Sequence, residues 1–201
     1  MSKIWLRDIK QHLGEVVTLK GWVFNKRGSK NIQFIELRDG TLVLQGIVTI
    51  QDSGQETWDV AETLTQETSL EVIGKVVEHP KSISGCELIV HEIRPIQITD
   101  DYPITKKEHG PDFLMKRRHL WLRSRNQRAI LQVRNEIIHA LRQYFYERQY
   151  VLTDSPILTG TIGEEGSTLF ATEYFDEGQA FLAQTGQLYL EATAAALGKV
   201  Y

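Results

Sequence analysis

The chain has 201 residues, a formal net charge of −3 and an apolar fraction of 41%, which are ordinary values for a soluble globular protein of one or two domains. No apolar stretch approaches the roughly 18 residues of a membrane span, and the N-terminus lacks the apolar core of a signal peptide, so we expect a cytoplasmic protein without membrane segments. The single cysteine, Cys86, excludes an intrachain disulfide or a cysteine-based zinc site, and we expect an idle or buried thiol and no metal site.

The first hundred residues favour β-structure. Glycine-containing turns separate five runs rich in β-branched residues, and a short helix is predicted over 58–64, between the third and fourth runs. Five strands with a helix in that gap are typical of the OB-fold, a small Greek-key barrel that binds oligonucleotides. Gly21, Gly46 and Gly74 lie inside strands, where glycine often allows a bulge or a sharp bend. The predicted strands are 16–24, 32–37, 42–50, 70–78 and 87–96.

The composition changes after residue 96. The segment 101–123 contains prolines and many charges and is predicted to be a linker, whereas apolar residues at helical spacing predict one long helix over 124–150. A short extended piece, a glycine-rich segment, two strands and a helix over 187–197 follow. We therefore expect an all-β OB-fold barrel over 1–100 and, over 124–201, the incomplete start of an α+β domain. The second domain looks unfinished because a sheet that stopped there would expose an unpaired edge.

Basic residues concentrate around the predicted linker. Between residues 101 and 136 there are nine Lys or Arg against four Asp or Glu, with the densest run at 116–128. Such a patch can neutralise phosphates while the whole protein stays acidic. A solvated linker and helix face explains the same composition, and the run can equally face RNA or a partner subunit.

Strand alternation puts Phe34 on the solvent side of the second predicted strand, because the acidic Glu36 shares its face. Gln45 is expected on the outer side of the third strand. Lys26 and Arg27 lie in the turn that precedes the second strand. An exposed ring can stack on a base at roughly 1–3 kcal/mol, an amide can pair with a base edge, and cations can hold phosphates. The alternative is that Phe34 closes one end of the barrel and Gln45 is merely solvated.

These residues match a known family. The segments 21–23 (GWV) and 34–40 (FIELRDG), together with Arg27 and Gln45, resemble the anticodon-binding domain of the class IIb aminoacyl-tRNA synthetases, the enzymes for aspartate, asparagine and lysine. In that family the matching aromatic residue stacks on the central anticodon uridine, and the matching glutamine and arginine help to read it. The resemblance therefore implies anticodon binding by Arg27, Phe34 and Gln45.

The second half carries further parts of the resemblance. Residues 119–123 (HLWLR) resemble the short basic signature that opens the catalytic domain of the family. The long helix, the following strand and Pro156 resemble class II motif 1, which implies a homodimer with Pro156 at its interface. Glu165, followed by Gly166 and Phe170, resembles a mobile loop whose glutamate helps to bind the α-ammonium group of the amino acid.

The segment 184–191 (QTGQLYLE) is the most discriminating. In the family a glutamine at position 187 binds the amino acid. The aspartate enzymes usually have Ser-Pro in place of Thr185 and Gly186, and a lysine at position 190. Leu190 offers no counter-charge for a carboxylate, so the pocket should prefer a neutral side chain, as in the asparagine enzymes. The resemblance implies that Glu165, Thr185, Gln187 and Leu190 bind the amino acid.

The resemblance implies an asparagine–tRNA ligase. Such an enzyme uses ATP and Mg²⁺ to form an adenylate of asparagine, and then transfers the aminoacyl group to tRNA(Asn). Class II motifs 2 and 3, which carry the ATP-binding arginines, should lie beyond Tyr201, so we expect no catalytic residue within the chain and no activity of the chain alone. Two alternatives stay open: a non-catalytic tRNA-binding protein made from such a fragment, and an aspartyl-tRNA synthetase that accepts both tRNAs.

Overall fold

The computed structural model describes residues 4–160 and 168–201, which fall into two compact units divided after Arg123. The first unit contains a closed barrel with the strand order β1-β2-β3-β5-β4. Strands β3 and β5 are parallel, and the other neighbours in the barrel are antiparallel. The strands are β1 (Val16–Gly28), β2 (Gln33–Arg38), β3 (Val43–Val48), β4 (Ser69–Glu78) and β5 (Cys86–Gln97). This topology confirms the predicted OB-fold.

Alternate residues of each strand fill the barrel. Leu19 of β1, Leu44 of β3 and Leu70 of β4 are fully buried there, and burial of each such side chain contributes about 1.5–3 kcal/mol. Helical segments complete this core. Trp58 comes from α1 (Ile50–Thr63), and Leu6 comes from the N-terminal 3-10 helix (Leu6–His12). Because inward positions alternate with outward ones, the polar residues of β1, β2 and β3 are left on the outer surface of the barrel.

Helix α1 begins earlier than the predicted 58–64. The hydroxyl oxygen of Thr49 accepts a hydrogen bond from the backbone N–H of Asp52 at 3.1 Å, which caps the helix at that point. Gly54 then interrupts the helical path with φ +77°. Gly54 is therefore a break inside a longer helical segment, because the cap starts the helix before the glycine.

Two strand glycines permit close approach of neighbouring strands. The register of β4 against β5 shifts between Ile73 and Gly74, and a Cβ at Gly74 would overlap the carbonyl oxygen of Ile89. A Cβ at Gly21 would lie 2.5 Å from the carbonyl oxygen of Arg38. Both positions therefore require glycine for packing, and Gly74 also lies at the bulge that the sequence suggested.

Residues 101–123, which we call the connector, are more ordered than the predicted linker. They contain α2 (Pro111–Lys116) and α3 (Arg118–Trp121), and they group with the barrel in the first unit. Pro111 occupies the start of α2, where its fixed φ favours a helix and its missing N–H costs nothing. Helical structure thus begins inside the segment that composition alone assigned to a linker.

A buried carboxylate fixes the end of the connector to the barrel. Glu67 Oε2 accepts hydrogen bonds from Arg38 Nη2 at 2.8 Å and from Arg123 Nη1 at 2.7 Å. Arg38 also donates from Nη1 to the backbone carbonyl of Arg123 at 3.1 Å. Arg123 belongs to the basic stretch noted in the sequence, so at least this cation has a structural partner inside the first unit.

The second unit contains α4 (Arg125–Glu147), the three-stranded sheet β6-β8-β7 and α5 (Gln187–Leu197). The sheet is antiparallel and consists of β6 (Leu158–Thr159), β7 (Ala171–Glu173) and β8 (Gln179–Leu182), with a 3-10 helix (Phe175–Glu177) before β8. The combination of helices with an antiparallel sheet confirms the α+β class predicted for this domain. Ala180 is the one buried apolar residue among the described residues of this unit. No helix within the described ranges is long and apolar enough to cross a bilayer.

Candidate nucleic-acid interface

Arg27, Phe34, Glu36 and Gln45 lie together on the outer surface of β1, β2 and β3, which we call the outer face. Arg27 is directly opposite Phe34 in the β1–β2 ladder, and Glu36 is directly opposite Gln45 in the β2–β3 ladder. Directly opposed residues on one face of an antiparallel pair lie within contact distance. Phe34 is half-buried, outside the core that its neighbour Ile35 joins, as strand alternation predicts.

The cation, the ring and the amide of the outer face contact one another. The guanidinium carbon of Arg27 lies 5.2 Å from the centroid of the Phe34 ring, within the range of a cation–π interaction. Arg27 Nη2 donates to Gln45 Oε1 at 3.1 Å. The three residues that the sequence assigned to anticodon binding are therefore brought into one cluster.

Glu87 extends this cluster, and the sequence did not indicate it. Gln45 Nε2 donates to Glu87 Oε2 at 3.4 Å, and His79 Nδ1 lies 3.7 Å from the same oxygen. Glu87 is on β5, which pairs with β3 in parallel, so that Leu88 lies opposite Gly46. Residues 45 and 87 are 42 positions apart, and a parallel pairing of that span leaves no local signal in the sequence. The arginine on one side and the carboxylate on the other fix which way the Gln45 amide points.

The outer face offers chemistry that suits an unpaired base. The Phe34 ring provides a flat apolar surface for stacking, and the adjacent amide provides both a donor and an acceptor for the edge of a base. Arg27 is exposed and uses one of its five N–H donors on Gln45, so others can reach a carbonyl or a phosphate oxygen. A solvent-facing barrel surface with stacking, hydrogen-bonding and cationic groups is typical of single-stranded nucleic-acid recognition.

Lys26 is not on the outer face, contrary to the expectation that it would lie beside Arg27 in a turn. Its ammonium group donates to the carbonyl oxygens of Ala61 at 3.0 Å and Glu62 at 2.7 Å, at the C-terminal end of α1. Strand β1 continues to Gly28, so alternation directs Lys26 and Arg27 to opposite sides. Burial lowers the pKa of Lys26, and the charge of Glu62 opposes that effect.

Three of the residues assigned to amino-acid binding lie at the start of α5. Gln187 is the first residue of the helix, its backbone N–H donates to Thr185 Oγ1 at 3.1 Å, and its side-chain amide donates to Glu191 at 3.2 Å. Leu190 follows one turn later on the same side of the helix and is half-buried. These residues lie together because they are close in sequence, within five positions of one another. Their role in binding the amino acid stays a prediction.

Two other assigned residues stand apart. Pro156 is exposed and lies between the parallel bridge Val151–Val200 and strand β6. Glu165 lies outside the described residues, so its predicted position beside the amino acid stays a prediction. Among residues 4–160 and 168–201, no group of three or more His, Cys, Asp or Glu side chains has the arrangement of a metal site.

Comparisons with known proteins agree with this geometry. Residues 17–96 match the model of the OB-fold nucleic acid binding domain, and residues 110–201 match that of the class II tRNA synthetases (D, K and N). The chain is 49% identical, over all 201 residues, to the asparagine–tRNA ligase of Symbiobacterium thermophilum, and covers 46% of it. The corresponding enzyme of Herpetosiphon aurantiacus is 46% identical over 201 residues, with 45% of its length covered.

A solved structure gives the same picture. The chain superimposes on asparaginyl-tRNA synthetase from Pyrococcus horikoshii, complexed with asparaginyl-adenylate, with a TM-score of 0.89 and 32% identity. The match covers 98% of this chain and 46% of that one, so the chain spans about half the length of the relatives it matches. The barrel, the start of the α+β domain and both matched segments give one result: the chain is similar to the class II aminoacyl-tRNA synthetases, and it aligns with the N-terminal portion of the asparaginyl enzymes.

Proposed function

We propose that this chain acts as part of an asparagine–tRNA ligase, a cytoplasmic enzyme of protein synthesis that activates asparagine with ATP and transfers it to tRNA(Asn). The barrel supplies anticodon binding through Arg27, Phe34 and Gln45. The start of α5 supplies part of the amino-acid pocket through Thr185, Gln187 and Leu190, together with Glu165. Recognition of the tRNA and positioning of the amino acid are thus assigned to different units of the chain.

The single observation that carries this proposal is the Phe34 ring on the outer face, with the Arg27 guanidinium 5.2 Å from its centroid. An aromatic side chain left half-buried on the outside of a closed barrel forgoes part of its hydrophobic stabilisation. A stacked base covers such a ring and recovers that stabilisation in the complex. The amide of Gln45, oriented by Arg27 and Glu87, lies beside it to read the edge of the base.

Binding of an anticodon stem-loop RNA of tRNA(Asn) to the 201-residue chain tests the assignment. Phe34→Ala should weaken binding by about 1–3 kcal/mol at fixed salt, because the stacking surface is lost. Phe34→Tyr keeps the ring and should restore most of the affinity. An unchanged dissociation constant for Phe34→Ala would remove Phe34 from the site. Equal affinity for the stem-loop of tRNA(Asp) would favour the aspartyl alternative that accepts both tRNAs.

The apolar side chain at position 190 supports asparagine over aspartate as the substrate. A carboxylate moved into a protein pocket without a cationic partner loses hydration that nothing replaces, whereas a neutral amide loses much less. Leu190 supplies no charge, and Gln187 one turn earlier offers an amide for hydrogen bonding. Isothermal titration of the complete enzyme with asparagine and aspartate tests this selection, and tighter binding of aspartate would contradict it.

Helix α4 supports a homodimer as the assembly. Its apolar residues are exposed along one side, and none of the residues of this helix is buried within the chain. A second copy of the same helix, related by twofold symmetry, can cover that side with an identical surface. The exposed apolar residues of this side include Ile130, Val133, Ile137 and Leu141.

A further inference from the structure

A cleft lies between the barrel and the connector, beside residues 24–26 of β1. We call it the connector cleft. Its volume is about 530 Å³, within the usual range of ligand sites of roughly 300–1,000 Å³. The residues that define it here are Phe24, Asn25, Lys26, Gln66, Lys106 and Lys107. All of them belong to the first unit.

The charges of the connector cleft have one sign. Three lysines line it, and its described lining residues include no Asp or Glu. Lys26 is held by the carbonyl oxygens of Ala61 and Glu62, so its ammonium group is a fixed cation at the edge of the cleft. Lys106 and Lys107 are exposed on the opposite, connector side. Ammonium groups that converge on one cleft favour phosphate as the ligand chemistry.

The remaining lining groups suit a ribose–phosphate chain better than a bare ion. Phe24 is the residue at the bulge of β1, where the register against β2 shifts, so its ring leaves the regular ladder and lines the cleft. Asn25 and Gln66 add amide groups, and the amide of Gln66 donates to the carbonyl oxygen of Ile104, which ties this wall to the connector. Amides and an aromatic edge are common partners of sugar hydroxyls in RNA complexes.

Asn25 belongs both to the lining of the cleft and to the outer side of β1. It is directly opposite Glu36 in the β1–β2 ladder, and Arg27 is directly opposite Phe34 in the same ladder. Residues two apart on a strand point to the same side at a spacing of about 7 Å. A strand of RNA with one base on Phe34 therefore meets Asn25, and then the cleft, as its backbone continues along β1.

We propose that the connector cleft binds the sugar–phosphate backbone of the RNA next to the base stacked on Phe34, with Lys106 and Lys107 contacting the phosphates. This inference rests on the anticodon binding proposed above and adds a second, sequence-independent contact to it. Since the contact is with phosphates, it increases affinity for any RNA that occupies the outer face and makes that affinity more dependent on salt.

The test compares three forms of the 201-residue chain with the same anticodon stem-loop RNA over a series of salt concentrations. The forms are the unmodified chain, the double variant Lys106→Gln/Lys107→Gln, and the control Lys20→Gln/Lys75→Gln. The control removes the same charge from the outer surface of β1 and β4, where Lys20 pairs with Glu71. Loss of two phosphate contacts should reduce the slope of log Kd against log salt by about 1.4 and weaken binding by roughly tenfold at low salt.

Each outcome has a distinct meaning. We call Lys106→Gln/Lys107→Gln the connector variant. A reduced salt slope for this variant, with the slope of the control close to that of the unmodified chain, supports RNA binding in the connector cleft. If Phe34→Ala weakens binding but the connector variant matches its control, the cleft is not an RNA site and the anticodon assignment stands. If the unmodified chain does not bind the RNA, both proposals are overturned. Saturable binding of inorganic phosphate that the connector variant abolishes, with unchanged RNA affinity, would show that a small phosphorylated ligand occupies the cleft instead.

Discussion

Glu67 and Arg38 form an ion pair at 2.8 Å in which 3% and 7% of the two side chains are exposed. Glu67 also has φ +65°, a value that non-glycine residues rarely adopt, and its backbone N–H donates to the carbonyl oxygen of Val23 at 2.7 Å. The surrounding hydrogen bonds therefore hold Glu67 in an unusual backbone conformation that aims its carboxylate at two arginines. Through Arg123, which contacts both Glu67 and Arg38, the pair links strand β2, which carries Phe34, to the connector.

We expect Glu67→Gln to destabilise the first unit by about 3 kcal/mol, because removing one partner of a buried ion pair leaves an uncompensated charge. The amide has nearly the same volume as the carboxylate, so the loss of stability measures the effect of the charge rather than of packing. Urea unfolding followed by far-ultraviolet circular dichroism measures the free energy of unfolding of both proteins.

The matched control for that measurement is Glu92→Gln. Glu92 pairs with Arg94 on the surface, with 45% of the Glu92 side chain exposed, and such pairs contribute about 0–1 kcal/mol. Equal losses for Glu67→Gln and Glu92→Gln would mean that the buried pair contributes no more than an exposed one, and the connector would then need another anchor.

Asp39 should make the stability of the barrel dependent on pH. Its carboxylate accepts hydrogen bonds from the backbone N–H of Leu6 at 2.7 Å and from the backbone N–H and hydroxyl of Thr41 at 2.8 and 2.6 Å. Burial alone would raise the pKa of Asp39, but hydrogen bonds from Leu6, Thr41 and Leu42 outweigh burial and lower the pKa below its usual value. Because the pKa of Asp39 is lower in the folded state than in the unfolded state, its ionised carboxylate stabilises the fold. This stabilisation is fully present above the unfolded-state pKa of about 3.9, and it is lost as the pH falls through the folded-state pKa.

We therefore expect Asp39→Asn to reduce the free energy of unfolding by about 1–3 kcal/mol at pH 7, since the amide leaves some of these donors without an acceptor. As the pH falls below about 4, the difference in free energy of unfolding between variant and parent should shrink. The unfolded parent binds a proton there first and the folded parent follows at its lower pKa, whereas the variant has no carboxyl group at position 39. Thermal or urea unfolding between pH 3 and 7 measures the loss of stability at neutral pH and its decrease at low pH. Asp59→Asn, at an exposed position of α1, is the control, and a parallel pair of pH profiles for Asp39→Asn and its parent would disprove the linkage.

Gln45→Glu should weaken RNA binding while leaving the barrel folded. The new carboxylate cannot donate to Glu87, so the 3.4 Å hydrogen bond becomes a repulsion between like charges. It also places a negative charge where the edge of a base and phosphates approach. We expect the dissociation constant for the anticodon stem-loop to rise by about tenfold, or about 1.4 kcal/mol.

Gln55→Glu provides the control for Gln45→Glu, because it adds the same charge to the exposed side of α1, away from the outer face. Fluorescence anisotropy at one fixed salt concentration compares the three proteins. If both variants lose the same affinity, the effect is one of net charge, and Gln45 has no specific part in reading the base.

The sequence was sufficient for those features that depend on local patterns. Alternation within each strand predicts the barrel core and the outward side chain of Phe34, and helical spacing predicts α4 and α5 close to their observed bounds. The error over Lys26 has a local cause, since the predicted strand stops at residue 24 while β1 runs to Gly28, so that alternation extends further than expected.

What the sequence could not show are contacts between distant segments. Glu67 and Arg123 are 56 positions apart, and the positive φ of Glu67 has no signature in a non-glycine residue. Glu87 reaches Gln45 only because β5 pairs with β3 in parallel, which follows from closure of the barrel rather than from either strand alone. The polar composition of the connector predicts a linker, whereas the contacts of Arg123 with Arg38 and Glu67 fix the end of the connector to the barrel.

The apolar side of α4 leads to a prediction about assembly. Ile137 and Leu141 have 55% of their surface exposed, and they follow Ile130 and Val133 at the spacing of a single helix face. Burial against a second copy would contribute about 1.5–3 kcal/mol for each fully covered side chain. We expect the chain to sediment as a dimer and Ile137→Glu/Leu141→Glu to convert it to a monomer. The control for this prediction is Gln132→Glu/Gln143→Glu, which adds the same charge at exposed polar positions of the same helix and should remain dimeric.

Sedimentation velocity at several protein concentrations measures the association state of the unmodified chain and of both variants. An unmodified chain that stays monomeric throughout would show that a second copy does not cover α4.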